Sequence, residues 1–506
     1  MMEKTEDALV RNCTGCVAVA SISETARFSR AGVGLLPMPP LLAALRQGAR
    51  RPGVSVLGGS ARTLTTRPMR KMAVIGAGIT GVTTARALMA RGFEVTVFDQ
   101  HRYAAMETSY ANGGQLSASN AEVWNSWATV FKGLKWMLQR DAPLLMNPMP
   151  CWHKYTWMAE FMGQIPNYRS NTIDTVKLAI AARELLIEHS KTYDFDFNRE
   201  DRGILHFYSD AKEYAHAEKV TKLYEEAGLE RDKVSSADIG KIEPALAGGD
   251  YLGGYFTPSD FTGDIHRYTV GLAEGITKDG VKFKLGTAID KLEHHGKEMK
   301  GPRGFGYGVD VHLANGESET FDGIVVCAGV KSRELASMLG DRVNIYPVKG
   351  YSITVNLHDE ASQNAAPWVS LLDDKAKIVT SRLGPDRFRI AGTAEFNGYN
   401  KDIRWDRIDP LIKWCNKHFP SISTEDVVPW AGLRPMMPTM LPRVGAGKQA
   451  GVFYNTGHGH LGWTLSAATA EMVADAATVT REEGYSGQVF SFAVNADIWS
   501  GHVSYT

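Results

Sequence analysis

The sequence predicts an α/β fold in which a Rossmann-like dinucleotide-binding domain is interleaved with an α+β domain built on an antiparallel sheet. Residues 71–100, KMAVIGAGITGVTTARALMARGFEVTVFDQ, have the order strand, glycine turn, helix and strand. Residues 452–478 have the order strand, glycine loop and helix near the other end of the chain. Between them, residues 346–355 and 386–396 alternate in polarity as half-buried antiparallel strands do. We therefore expect inserts to split the first domain along the sequence.

The first of these stretches has the features of a dinucleotide-binding loop. Gly76, Gly78 and Gly81 stand in G-x-G-x-x-G register after an apolar strand. In this pattern the first glycine permits the tight turn, the second lets the backbone approach a pyrophosphate, and the third lets the helix pack on the strand. Asp99 ends the second strand, where an acidic side chain holds the ribose hydroxyls. The residues expected to contact the cofactor here are Ile75, Gly76, Ala77, Gly78, Ile79, Thr80, Gly81, Asp99 and Gln100.

Length, charge and cysteine content limit the function classes. The chain has 506 residues, a formal net charge of zero and five cysteines. This length predicts two or three domains, and the neutral charge argues against binding of nucleic acid, which requires a basic surface. The odd, scattered cysteines argue against a disulfide framework and favour a reducing, cytoplasmic location. Cys13 and Cys16 have the spacing of half a metal or redox site, but no second Cys/His pair lies near them, so no metal is predicted.

The first 70 residues differ in composition from the rest. From Thr25 to Arg70 there are eight arginines and no acidic residue, with Gly, Ser, Thr and Pro between them. This composition is typical of a targeting segment, but the extension also suits a start site assigned too far upstream, with translation beginning at Met69 or Met72. We favour the second interpretation. Residues 491–506 are interpreted as a tail, and no stretch of sequence predicts a membrane span.

Residues 127–138 predict an amphipathic helix, because apolar side chains recur at helical spacing and Lys132 and Lys135 take the other side. An aromatic and methionine-rich segment follows at residues 146–162. A role in a core or a domain interface is the commoner one for such a stripe, and we favour it. The aromatic and basic composition also suits peripheral contact with an anionic inner membrane.

Further strands are predicted in the segments 203–209, 253–264, 279–295 and 321–332. The last of these, FDGIVVCAGVKS, is a fully apolar strand that enters a small-residue turn. From these patterns we assign residues 71–125, 236–343 and 428–490 to the dinucleotide-binding domain, and residues 126–235 and 344–427 to the second domain.

Three loops that are remote in sequence indicate which dinucleotide is bound. They are TSYANGGQLS at residues 108–117, CAG at residues 327–329 and TGHGHLGW at residues 456–463. All three have the small residues of a backbone that passes close to a ligand. A nicotinamide cofactor would leave the C-terminal glycine loop unexplained, whereas FAD is anchored at the first strand and places its reactive ring far away. The sequence therefore predicts FAD.

Several longer motifs resemble one family of flavoproteins. They are ETSYANGGQLS (107–117), GLKWMLQRDAPL (133–144), YPVKGYSITV (346–355), WAGLRPMMP (430–438) and NTGHGHLGWTLS (455–466). In order and spacing the chain from about Met72 to Thr478 resembles the FAD-dependent D-amino-acid dehydrogenases, small-subunit type, of the glycine oxidase and sarcosine oxidase superfamily. The resemblance implies noncovalent FAD, oxidation of a D-amino acid to a 2-oxo acid and ammonia, and a quinone or other respiratory acceptor.

The resemblance also implies site residues. Arg434 matches the arginine of the family's GLRP motif, and a guanidinium can clamp a substrate carboxylate bidentately; the alternative is a salt-bridged structural arginine. Tyr351 is a candidate substrate contact or an ordinary packed side chain, and His458 either positions substrate or bonds to the backbone. No catalytic acid or base is assigned, because the flavin carries the chemistry. The other expected cofactor contacts are Ser109, Asn112, Gly114, Gln115, Leu116, Ile289, Ala328, Gly329, Gly457, Gly459, Leu461, Gly462, Trp463 and Thr464.

The chain departs from the family pattern in places. Met437–Met440 replace the usual Thr-Pro-Asp-Gly run, His460 stands where the family often has Thr, and Asp99 where it often has Glu. These changes put the side-chain preference in doubt. The alternative enzyme is a flavin oxidase of glycine, sarcosine or an imino acid that uses oxygen, and a third alternative is a flavoprotein that only passes electrons.

Overall fold

A computed structural model describes residues 71–136, 143–301 and 304–483. The strands are β1 (Lys71–Ile75), β2 (Glu94–Phe98), β3 (Gln115–Leu116), β4 (Leu144–Met146), β5 (Ile204–Tyr208), β6 (Asp232–Ser235), β7 (Gly253–Thr257), β8 (Phe261–Thr262), β9 (Lys282–Lys284), β10 (Ile289–Gly301), β11 (Gly304–Leu313), β12 (Ser318–Phe321), β13 (Gly323–Val326), β14 (Tyr346–Asn356), β15 (Ser370–Asp373), β16 (Ile378–Arg382), β17 (Arg387–Phe396), β18 (Val427–Met436), β19 (Arg443–Ala446) and β20 (Val452–Thr456). The helices are α1 (Ile79–Ala90), α2 (Trp127–Trp136), α3 (Trp152–Gly163), α4 (Tyr168–Tyr193), α5 (Ala211–Glu226), α6 (Ser236–Ile242), α7 (Ile265–Lys278), α8 (Ser332–Met338), α9 (Glu360–Ala365), α10 (Trp405–His418) and α11 (Gly462–Glu483). The predicted extension at 1–70, the tail at 491–506 and the end of the predicted helix at 137–138 lie outside the described residues.

The first sheet has the strand order β19-β20-β13-β1-β2-β9, and the pairs from β20 to β9 are parallel. β1 and β13 are apolar runs buried along almost their whole length, as strands covered on both faces must be. Helices α1, α4, α7 and α11 pack together on one face. The antiparallel sheet β10-β11-β12 covers the other face through Leu292, Val309 and Val311. This is the architecture that the sequence predicts for the dinucleotide-binding domain.

The second sheet is larger and mainly antiparallel, with the order β18-β14-β17-β16-β15-β5-β7-β6 and with β4 beside β17. The amphipathic helix α10 packs on β14 and β17, where Ile408, Leu411 and Trp414 meet the buried Ile353 and Ile390. Burial of this apolar stripe holds the helix against the sheet.

Two strands lie in a different sheet from the one their predicted domain implies. The sequence boundaries place β7 and β18 with the dinucleotide-binding domain, but β7 pairs with β5 and β6, and β18 pairs with β14 along its whole length. Both therefore belong to the large sheet. This assignment matters because Arg434 lies on β18. The remaining domain boundaries stay predictions.

Helix α2 is only partly buried, whereas the sequence favours a role for it in a core or a domain interface. Val130 packs against a buried cluster, but Trp127 is 56% exposed and Phe131 is 65% exposed. Trp152 at the start of α3 is 82% exposed. Among the described residues, no helix combines the length and apolar character needed to cross a membrane.

Candidate active site

A cavity of about 1370 Å³ runs from the carboxyl ends of β1 and β13 to the face of the large sheet. Sites for one small molecule are usually about 300–1,000 Å³, so this cavity has room for an extended cofactor and a substrate together. Of the site residues predicted from the sequence, all line the cavity except Ala77, Gly81 and Leu116. The three remote loops thus meet at one site.

Of the three glycines in this loop, the fold requires two to lack a side chain, but it does not require this of the third. Gly76 has a φ of +111°, and a Cβ there would lie 2.6 Å from the carbonyl oxygen of Cys327. A Cβ on Gly81 would overlap the carbonyl oxygen of Gly76. A Cβ on Gly78, in contrast, would meet no protein atom closer than the Ser109 Oγ at 3.4 Å, yet Gly78 lines the cavity. The lack of a side chain at Gly78 therefore suits a ligand such as the FAD pyrophosphate.

Two side chains brace this loop. The Asp99 carboxylate accepts hydrogen bonds from the Ala77 N–H at 2.7 Å and from the His101 N–H at 2.8 Å. The Ile79 N–H at the start of α1 donates to the Ser109 Oγ over 3.1 Å. Each carboxylate oxygen has a second acceptor site, so Asp99 can still receive ribose hydroxyls from within the cavity. The residues present fit an FAD cofactor.

The C-terminal glycine loop connects the cofactor side of the cavity to the large sheet. The Gly459 N–H donates to the Pro435 carbonyl over 3.0 Å, immediately after Arg434 on β18. His458 is buried, and its Nε2 lies 2.9 Å from the Thr469 Oγ1, a side-chain partner that neither sequence interpretation specified. Burial lowers the pKa of His458 to about 3, so the ring is neutral. Its role as a substrate contact stays a prediction.

Arg434 has no carboxylate partner among the described residues. Its NH1 donates to the Thr393 carbonyl over 3.2 Å. Burial lowers its pKa to about 10, and no nearby acid opposes that shift. The guanidinium lies across Gly350 of β14, where a Cβ would come within 3.0 Å of Cζ and of both terminal nitrogens. The structural alternative from the sequence, a salt-bridged arginine, is therefore not what the described residues contain.

Tyr351 and Lys349, which are neighbours on β14, both bind Glu395. The Tyr351 hydroxyl donates to Glu395 Oε2 over 2.6 Å, and the Lys349 Nζ lies 3.1 Å from the same oxygen. Lys349 is completely buried and also bonds to Asn400. Tyr351 lines the cavity, but its proton is already used, so only an acceptor lone pair remains for a ligand.

His460 stands where the resembled family often has Thr, and it lies beside Arg434. Its ring stacks on Trp124 with centroids 4.6 Å apart, and neither ring nitrogen has a hydrogen-bond partner among the described residues. Burial and the charge of Arg434 together lower its pKa to about 4, against an opposing contribution from the backbone of Asn120. His460 is thus a neutral imidazole with an unused acceptor in the cavity.

Gly350, Thr393, Glu395 and Trp124 were not predicted as site residues. The strand patterns place the first three on β14 and β17, but local alternation does not say which residues of different strands meet. No signal in the sequence identifies Trp124.

The comparisons with known proteins agree with this geometry. Residues 71–476 match the model of the family DAO, FAD dependent oxidoreductase. The chain is similar to D-amino acid dehydrogenase 3 of Mesorhizobium japonicum, with 58% identity over 80% of this chain and 96% of the relative. It is also similar to the D-amino acid dehydrogenase of Dechloromonas aromatica, with 37% identity over 82% of this chain and 98% of the relative.

Solved structures with low identity share the fold. Glycine oxidase from Bacillus cereus has a TM-score of 0.60 at 18% identity, covering 81% of this chain and 94% of its own. L-proline dehydrogenase from P. horikoshii has a TM-score of 0.63 at 15% identity, covering 85% of this chain and 96% of its own. These likenesses confirm the predicted fold class, and the family match confirms the predicted FAD dependence. The chain belongs to the DAO family of FAD-dependent oxidoreductases.

Proposed function

We propose that this enzyme oxidises D-amino acids to imino acids, which water hydrolyses to 2-oxo acids and ammonia. The observation that carries the proposal is Arg434, a half-buried side chain that lines the cofactor cavity and has no carboxylate partner among the described residues. A partly desolvated charge without a counter-ion favours the binding of an anionic ligand. The names of the relatives support a D-amino acid as the substrate whose carboxylate binds Arg434.

Arg434 and its neighbours bind different groups of the amino acid. The planar guanidinium binds the carboxylate with two parallel hydrogen bonds and fixes the direction of the Cα–H bond. The neutral His460 offers an acceptor to the amino group. FAD, when bound, supplies the hydride acceptor, and Gly78 and Asp99 would hold its pyrophosphate and ribose.

The rest of the cavity favours an apolar side chain. Trp124, Met146, Trp157 and Phe396 line the part of the cavity near β4 and α3. Burial of an apolar side chain against these residues is favourable by about 25 cal/mol per Å², whereas a charge would lose its hydration. We therefore extend the proposal to apolar D-amino acids, with D-alanine as the simplest.

The electron acceptor in this proposal is a membrane quinone. Val130, Met158 and Met162 line the cavity, and the large exposed side chains Trp127 and Trp152 belong to the same two helices. Exposed apolar side chains on helices that also line the cavity suit a lipid surface and a lipophilic acceptor. Lys132 contributes less to attraction by an anionic membrane than the sequence suggests, because it pairs with Glu213 at 2.5 Å.

An anaerobic titration of the purified holoenzyme tests the donor. D-Alanine should bleach the flavin absorbance, L-alanine should not, and Arg434→Ala with full FAD content should bleach poorly. Bleaching only by glycine or sarcosine would replace this proposal by the amine oxidase alternative. A flavin that no amino acid bleaches would indicate an electron-transfer protein.

Two measurements test the acceptor and the membrane surface. A short-chain ubiquinone should reoxidise the reduced enzyme faster than oxygen does. Anionic vesicles should sediment the wild-type enzyme, and Phe131→Ser with Trp152→Ser should reduce the sedimented fraction several-fold without change in FAD content. Fast reoxidation by oxygen alone, or vesicle binding that the two substitutions leave unchanged, would exclude this part of the proposal.

A further inference from the structure

Thr393 has an unusual backbone conformation. Its φ is 54°, in the left-handed region, where a β-branched residue is strained. The pairing of β14 with β17 shifts at this point, so that two residues of β17, Thr393 and Ala394, oppose Gly350 alone. The chain therefore carries a β-bulge whose first residue is one of the types least suited to it. Strain of this kind persists only where the surrounding structure enforces it, and it is concentrated at ligand sites.

The bulge points the backbone of Thr393 at Arg434. Its carbonyl accepts the hydrogen bond from Arg434 NH1 over 3.2 Å. On the opposite strand, the missing side chain of Gly350 leaves the space in which the guanidinium lies. Three neighbouring strands thus fix one cation: β18 carries it, β14 makes room for it and β17 orients it.

The side chain of Thr393 is the second observation. The residue is 8% exposed and lines the cavity, but its Oγ1 has no hydrogen-bond partner among the described residues. Buried hydroxyls in proteins are nearly always hydrogen-bonded, because an unpaired one loses its interaction with water. An unpaired hydroxyl next to an unpaired cation indicates that one ligand completes both.

We infer that Thr393 positions the substrate carboxylate. The carbonyl of its strained backbone orients the Arg434 guanidinium, and its hydroxyl donates a hydrogen bond to the carboxylate that Arg434 binds. This inference rests on the proposed function. The strain is kept because relaxing the bulge would turn the carbonyl away from Arg434. Thr393 is thus a specificity element for carboxylates in a site whose other walls are largely apolar.

Two substitutions separate the hydroxyl from the shape of the side chain. Thr393→Val keeps the branched shape and removes the hydroxyl, and Thr393→Ser does the reverse. For propionate, an unreactive carboxylate, the Kd measured by perturbation of the flavin spectrum should rise about 10-fold or more in Thr393→Val and less than about 3-fold in Thr393→Ser. Equal weakening in both variants, or propionate binding unchanged in Thr393→Val, would overturn the role of the hydroxyl.

A third substitution tests the strain. Thr393→Gly accepts the left-handed backbone freely, so its thermal unfolding midpoint should not fall, while kcat/KM should drop at least about 10-fold because Arg434 is held less firmly. The matched control is Asp194→Gly, an exposed left-handed residue at the end of α4, which should leave activity unchanged. A lower midpoint with normal activity would mean that Thr393 only fills space. If wild-type enzyme oxidises D-amino acids and the Thr393 variants equal it, this inference fails while the proposed function stands.

Discussion

Gly350→Ala should disable the enzyme without unfolding it. The new methyl group would come within 3.0 Å of three guanidinium atoms of Arg434, whereas non-bonded carbon atoms prefer about 3.5–4.0 Å. The guanidinium must therefore move by about 1 Å. It is the end of a flexible side chain, and Gly350 is not in a left-handed conformation, so the backbone itself can accept alanine. A displacement of about 1 Å in a positioning group reduces catalysis by about 100-fold, or about 2.7 kcal/mol.

The assay is kcat/KM for D-alanine with an artificial electron acceptor, with FAD content and the thermal midpoint measured on the same samples. Both of these should stay at the wild-type values. The control is a double-mutant cycle: in an Arg434→Ala background, Gly350→Ala should cause no further loss, because the group it displaces is absent. Wild-type activity in Gly350→Ala, or losses that multiply in the double variant, would show that the space at Gly350 does not position Arg434.

Three other predictions address the cofactor and stability. Gly78→Val should lose FAD, seen as a low ratio of flavin to protein absorbance, because its side chain would occupy the space that the pyrophosphate needs, while the protein itself tolerates a Cβ there. Full flavin content would show that the pyrophosphate lies elsewhere. Acid precipitation should release the flavin into the supernatant, and a yellow pellet would disprove noncovalent binding. His189 is buried, and burial lowers its pKa to about 3, so the unfolded chain binds a proton that the folded one does not. His189 therefore contributes stability that is lost as pH falls from about 6.5 towards about 3, by about 1.4 kcal/mol per pH unit, and His189→Leu should reduce the slope of stability against pH by that amount; an unchanged slope would contradict it.

Local features of the sequence predict the secondary-structure elements that border the cofactor side of the cavity. The glycine turn after β1 and the strands β5, β14, β17 and β20 are where the patterns placed them. A glycine that a tight turn requires, and an apolar run that a covered strand requires, depend only on near neighbours in the chain. For this reason they can be recognised without knowing the fold.

The substrate side depends on contacts between distant strands. Arg434, Gly350 and Thr393 come together only because β14 pairs with both β17 and β18 and because the first pairing contains a bulge. Alternation of polarity predicts a strand but neither its partner nor its register. For the same reason the sequence pattern places β7 and β18 in the dinucleotide-binding domain, whereas they pair within the large sheet.

Arg434→Lys distinguishes a bidentate carboxylate anchor from a simple positive charge. Lysine keeps the positive charge but replaces a rigid pair of donors with one mobile group, so the carboxylate loses a charge-assisted hydrogen bond worth about 1.5–3 kcal/mol. We expect kcat/KM for D-alanine to fall about 10- to 150-fold, with FAD content unchanged and with a larger loss in Arg434→Ala. Near-normal turnover in Arg434→Lys, or loss of flavin in place of activity, would contradict the assignment of Arg434 as the carboxylate anchor.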